Sequence, residues 1–100
     1  MTRRKASTPR SQVRSALRRL WLRSRERQAT LKRDGYSCVE CGVKQSRRKG
    51  AEVYVEVHHR DGIPWENILD YVYRHLLCPP GRLETRCKRC HLVAQLEQQQ

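Results

Sequence analysis

Two cysteine pairs, Cys38-x-x-Cys41 and Cys87-x-x-Cys90, constrain this chain more than any other feature. A C-x-x-C turn brings two thiolates to one side of the backbone, and two such turns satisfy a tetrahedral Zn²⁺. The doubled spacing therefore predicts one structural zinc held by Cys38, Cys41, Cys87 and Cys90. His91 follows the second pair directly, and an alternating run from Val53 to Val57 between the pairs ends in His58-His59.

Such a staple is physically useful here. The chain has 100 residues, only 37% of them hydrophobic, and no Phe. A domain of this length is marginal on apolar burial alone. Zinc binding at comparable sites contributes on the order of 10–16 kcal/mol, much of it as folding energy. No apolar run is long enough to span a bilayer, and the basic N-terminus lacks the apolar core of a secretory signal. The cysteines are therefore expected as thiolates in a reducing, cytoplasmic compartment. Cys78 falls outside both pairs and is expected as a small, buried apolar residue.

Charge divides the chain. Residues 1–33 hold twelve Lys/Arg and one acid, a net +11, whereas residues 34–100 carry +1. A near-neutral domain thus bears a cationic arm, and a polyanion is its natural partner. Arg14, Arg18, Arg19, Arg23 and Arg25 on the arm are candidate DNA contacts, joined by Lys88 and Arg89 beside the second cysteine pair. No aromatic residue flanks the basic run as a stacking platform, which disfavours RNA as the partner. Trp21 is the open case, an aromatic set among arginines.

The pattern predicts a disordered basic tail over 1–10 and a basic amphipathic helix over 11–33, capped by Ser11 and stopped by Asp34-Gly35. The zinc domain follows over 34–97, with a frayed end at 98–100. Within it, residues 52–58 alternate as a strand does, and Trp65, Ile68, Leu69, Val72, Tyr73, Leu76 and Leu77 predict a helix over 65–77. Trp65, Tyr71 and Tyr73 are expected as its core and rim, and His75 as a surface or satisfied histidine. Pro79-Pro80-Gly81 ends that helix. A short strand over 83–85 then leads to a final helix from near Cys87. The expected fold class is α+β.

The stretch 31–42 (LKRDGYSCVECG), His58-His59 and Cys87-Lys-Arg-Cys-His91 together resemble the HNH endonuclease family, most closely its small, phage-type zinc-bearing members. The likeness covers about residues 31–92, with its three blocks in the family's order. It implies a ββα-metal, treble-clef-like core, here with an inserted helix and the basic N-terminal helix. It also implies metal-dependent cleavage of DNA with low sequence specificity, in phage genome processing or packaging within a bacterial host. Phage packaging proteins would be further partners. By position, His59 matches the general base, while His58 and His91 match the ligands of a catalytic divalent cation. A site with two imidazoles suits Mn²⁺, Ni²⁺, Co²⁺ or Zn²⁺, and Mg²⁺ through its waters. Arg60 and Arg86 are candidates to brace the phosphate. The family's middle Asn is replaced by Arg82, and Asn67 lies in the intervening helix; the rival reading is a non-catalytic zinc-ribbon DNA-binding module.

The residues make their own case. Neighbouring side chains on an extended segment face opposite ways, so His58 and His59 are suited to different tasks. Imidazole titrates near neutrality and can take a proton from water. A metal held by few side chains keeps open positions for phosphate oxygens.

Overall fold

The computed structural model describes residues 7–98, and its regular structure is helical. α1 spans Arg10–Leu22 and α2 spans Arg25–Arg33. The single helix expected over 11–33 is therefore broken, and the cause is Ser24. Its extended backbone and its hydroxyl, which accepts the Arg27 N–H at 3.1 Å, cap a second helix rather than continue the first. Ser11 is not the cap of α1. That position belongs to Pro9, whose carbonyl accepts the Gln12 and Val13 N–H groups.

Of the tail expected over 1–10, the described residues 7–10 are ordered. Residues 1–6 lie outside the described range, but Tyr73 donates its hydroxyl to the Thr8 carbonyl and Arg10 opens α1. The frayed end expected at 98–100 meets the described chain only at Gln98, the last residue of α4.

α3, Trp65–His75, forms as its pattern predicts, with Glu66 in the first turn and Arg74 and His75 in the last, both favourable to the helix dipole. It ends two residues short of the expected 77, and Pro80–Arg82 forms a 3₁₀ turn. α1 and α3 pack together: Val13 of α1 and Leu69 of α3 are buried, Leu69 to 3% exposure. Arg10 reaches across to Glu66 at 2.9 Å and Asp70 at 3.0 Å. Its guanidinium also lies over the Tyr73 ring, and that of Arg14 lies over Trp65 at 4.9 Å. The arm thus docks on α3 through a small apolar seam flanked by cation–aromatic contacts.

The α+β expectation is met only in its helices. No strand forms over 52–58 or 83–85; pairing among the described residues is confined to two antiparallel bridges, Ser37 with Lys44 and Ser46 with Val53. Strand propensity without a partner leaves backbone groups unladdered. The segment 53–60 nevertheless keeps the alternation: Val53, Val55, Val57 and His59 are half-buried, while Tyr54, Glu56, His58 and Arg60 are exposed. Period two is legible in burial even where the ladder is missing.

α4, Lys88–Gln98, buries no residue; Leu92, Val93 and Leu96 are each at least half exposed. The accessible surface is 9968 Å², against about 6,000 Å² for a compact monomer of this length. The polypeptide by itself encloses little core. None of the described helices is long and apolar enough to cross a membrane.

Candidate functional site

Each cysteine pair forms the same local turn. The Cys41 N–H points at the Cys38 sulfur and the Cys90 N–H at the Cys87 sulfur, both at 3.5 Å. The first turn is closed by the Cys38 N–H on the Val43 carbonyl and the Gly42 N–H on the Cys38 carbonyl, both at 2.8 Å. Gly42 has φ +81°, which a side chain would strain. Donation from the Cys41 backbone, then from that of Glu40, holds the Cys38 thiol below its ordinary range, and the Cys90 backbone does the same for Cys87. A sulfur that accepts N–H bonds and favours the thiolate is what a zinc ligand requires.

The donor chemistry of both turns therefore fits zinc, but the turns are not joined. Among the described residues, no three Cys, His, Asp or Glu side chains converge to hold an ion.

The three histidines fall in different surroundings. His59, on the half-buried face of its segment, lies against Trp21, with ring centroids 4.4 Å apart and planes inclined by 55°. His58 faces the other way, into a cleft of about 770 Å³ that Arg60, Asp34 and Cys38 also line. The Arg33 guanidinium, with a lesser contribution from Arg60, keeps the Asp34 carboxyl below its usual range. His91 lines a separate cleft of about 490 Å³ with Arg82 and Arg86, and Arg86 is paired with Glu84 at 2.8 Å. The expected opposition of His58 and His59 is present, whereas His58 and His91 do not share a cleft. In this arrangement they do not fit a common ion.

The expected DNA contacts are all exposed. Arg19, Arg23 and Arg25 project from α1 and the start of α2, and Lys88 and Arg89 from α4. Arg14 is engaged by Trp65. Cys78 is half-buried and donates to the Arg74 carbonyl at 3.3 Å. His75 is exposed beside Tyr71.

Residue order concealed one grouping. A cleft of about 650 Å³ runs between α1, α2 and the segment 45–57. Arg18, Arg27 and Arg47 line it together with Trp21, Tyr36 and Tyr54. The aromatics that residue order does not place beside the basic run are thus brought there by folding. One sequence signal pointed this way: Tyr54 occupies an outward position of the alternating run, where a polar residue would be ordinary.

Comparison with protein-family models, with curated proteins and with solved structures finds no match for this chain.

Proposed function

We propose that the chain is a zinc-stapled, metal-dependent DNA endonuclease of the HNH kind. The observation that carries this reading is the division of the adjacent imidazoles. His59 is seated against Trp21 on the inner face, and His58 is turned outward beside Arg60. One is restrained in the manner of a general base, and the other is free to serve as a ligand.

His59 accepts a proton from water as the water oxygen attacks phosphorus, and the 3′ oxygen of the phosphodiester departs. Arg60 on the His58 side is the cation available to the phosphate, whereas Arg86 on the His91 side is paired with Glu84. The resemblance assigns a divalent ion to His58 and His91; in separate clefts they do not hold one together, and such an ion would neutralise charge at the phosphate only if the two imidazoles met. The exposed arm residues Arg18, Arg19, Arg23 and Arg25 would add affinity without sequence choice. Genome processing or packaging in a phage-infected bacterium is the setting this reading suggests.

The separate clefts of His58 and His91 favour a second reading, a zinc-bearing DNA-binding module without turnover. Plasmid incubated with zinc-replete protein and added Mn²⁺ or Mg²⁺ separates the two. The nuclease reading predicts nicked or linear product with wild type and none with His59→Ala. Cleavage that survives His59→Ala removes His59 as the base, and no cleavage with any of the divalent ions leaves the binding module.

A further inference from the structure

We propose that the cleft between α1, α2 and the segment 45–57 binds an unpaired nucleotide of a single-stranded nucleic acid. Its three cations come from different parts of the chain: Arg18 from α1, Arg27 from α2 and Arg47 from the loop after the first cysteine turn. The ion pairs among the described residues use Arg10, Arg33 and Arg86, so the three guanidiniums of the cleft are not neutralised by carboxylates. Three unpaired guanidiniums around one concavity attract a phosphate backbone.

The aromatic lining gives the second half of the argument. Tyr36 is the one non-glycine residue with positive φ, +55°, among those described. A bulky residue in that region is strained and persists where its surroundings hold it. Here the Tyr36 N–H donates to the Leu31 carbonyl at 2.9 Å, and Gln28 Nε2 donates to the Tyr36 hydroxyl at 2.7 Å. The ring is thereby fixed at the cleft wall. Tyr54 lines the opposite segment and is 77% exposed, with its ring available to a base. Trp21 lines the same cleft while carrying His59.

Guanidiniums interleaved with aromatic rings are the chemistry of single-strand binding: cations follow the phosphates and each ring stacks a base, whatever its identity. The volume falls within the roughly 300–1,000 Å³ range of small-ligand sites. Duplex bases are covered on both faces by their neighbours, so the rings select unpaired nucleotides. Glu56 also lines the cleft and only accepts hydrogen bonds, which favours the donor edge of a base over phosphate at that wall. The inference does not require that the chain cut nucleic acid.

The test uses zinc-replete full-length chain without other divalent ions, and fluorescence anisotropy of short labelled oligothymidine, oligouridine and duplex. Tyr54→Ala removes a ring that contributes little to the core. It is expected to weaken single-strand binding by about ten-fold, the loss of one stacked base, and to change duplex binding by less than about two-fold. Tyr54→Phe keeps the ring and is expected to bind as wild type does. Selective loss on either oligonucleotide supports the site. Equal losses on single strand and duplex, or no loss on either single strand, overturn it.

Discussion

The imidazole of His59 rests on the indole of Trp21, 4.4 Å between ring centroids. The contact joins the basic arm to the histidine proposed as the general base, across thirty-eight residues of sequence. Its consequences can be read without any assay of turnover. In Trp21→Leu the His59 ring protons should lose their upfield ring-current shift in proton NMR, and stability should fall by about 1 kcal/mol. Unchanged His59 resonances would show that the two rings do not meet in solution.

Leu69 is the most buried residue of the seam between α1 and α3, and little else among the described residues is enclosed. Leu69→Ala should cost about 2–5 kcal/mol. That cost should release α1 rather than merely loosen it. Amide exchange across residues 10–22 is expected to rise toward the unfolded rate, while Leu96→Ala on the exposed α4 leaves exchange there unaltered.

Cys38 and Cys87 accept backbone N–H bonds that lower their thiol pKa from an ordinary 9.0. In the metal-free chain near neutral pH they should alkylate ahead of Cys41 and Cys90, as peptide mass spectrometry would show. The sign of the pH dependence follows. A depressed thiol pKa contributes stability that is complete above the unfolded value and fades as pH falls through the lowered folded value. Zinc competes with protons for the same sulfurs, so its affinity should also fall on acidification. Equal alkylation of all four thiols would contradict the hydrogen bonding.

Arg18, Arg19, Arg23, Arg25 and Arg27 lie outside the ion pairs of the described residues, while Arg10 is held by Glu66 and Asp70. If the arm and its neighbours neutralise six to eight phosphates, log K against log salt should have a slope of about −5 to −7. Arg10→Ala should leave that slope nearly unchanged, and Arg18→Ala should reduce its magnitude by about one. Titrations at several salt concentrations check both. A steeper loss from Arg10→Ala than from Arg18→Ala would reverse their assignments.

Local pattern was legible where local physics decides the outcome. The apolar spacing of Trp65, Ile68, Leu69 and Val72 predicts α3, and Asp34-Gly35 ends α2 as expected. The alternation of Val53, Val55 and Val57 was also readable, and with it the opposite facing of His58 and His59. The break at Ser24 is not legible, because a serine within a helical pattern is ordinary until its hydroxyl finds the N–H three residues on. The strands were overpredicted because propensity speaks for one segment, whereas a ladder needs two. The cleft of Tyr36, Tyr54 and Arg47 was not legible, since it depends on how α2 lies against residues 45–57. The cysteine turns mark the boundary between these cases: each turn is local and forms, while a shared site for the four sulfurs is a tertiary matter.

Zinc stoichiometry decides whether the two cysteine turns share one ion. Titration of the metal-free chain with Zn²⁺ should saturate at one ion per chain with wild type, and Cys41→Ser or Cys90→Ser alone should each abolish the tight site. If either substitution leaves tight one-to-one binding in place, or each pair takes up zinc independently, the turns are not halves of one site and no staple unites the arm, His59 and His91.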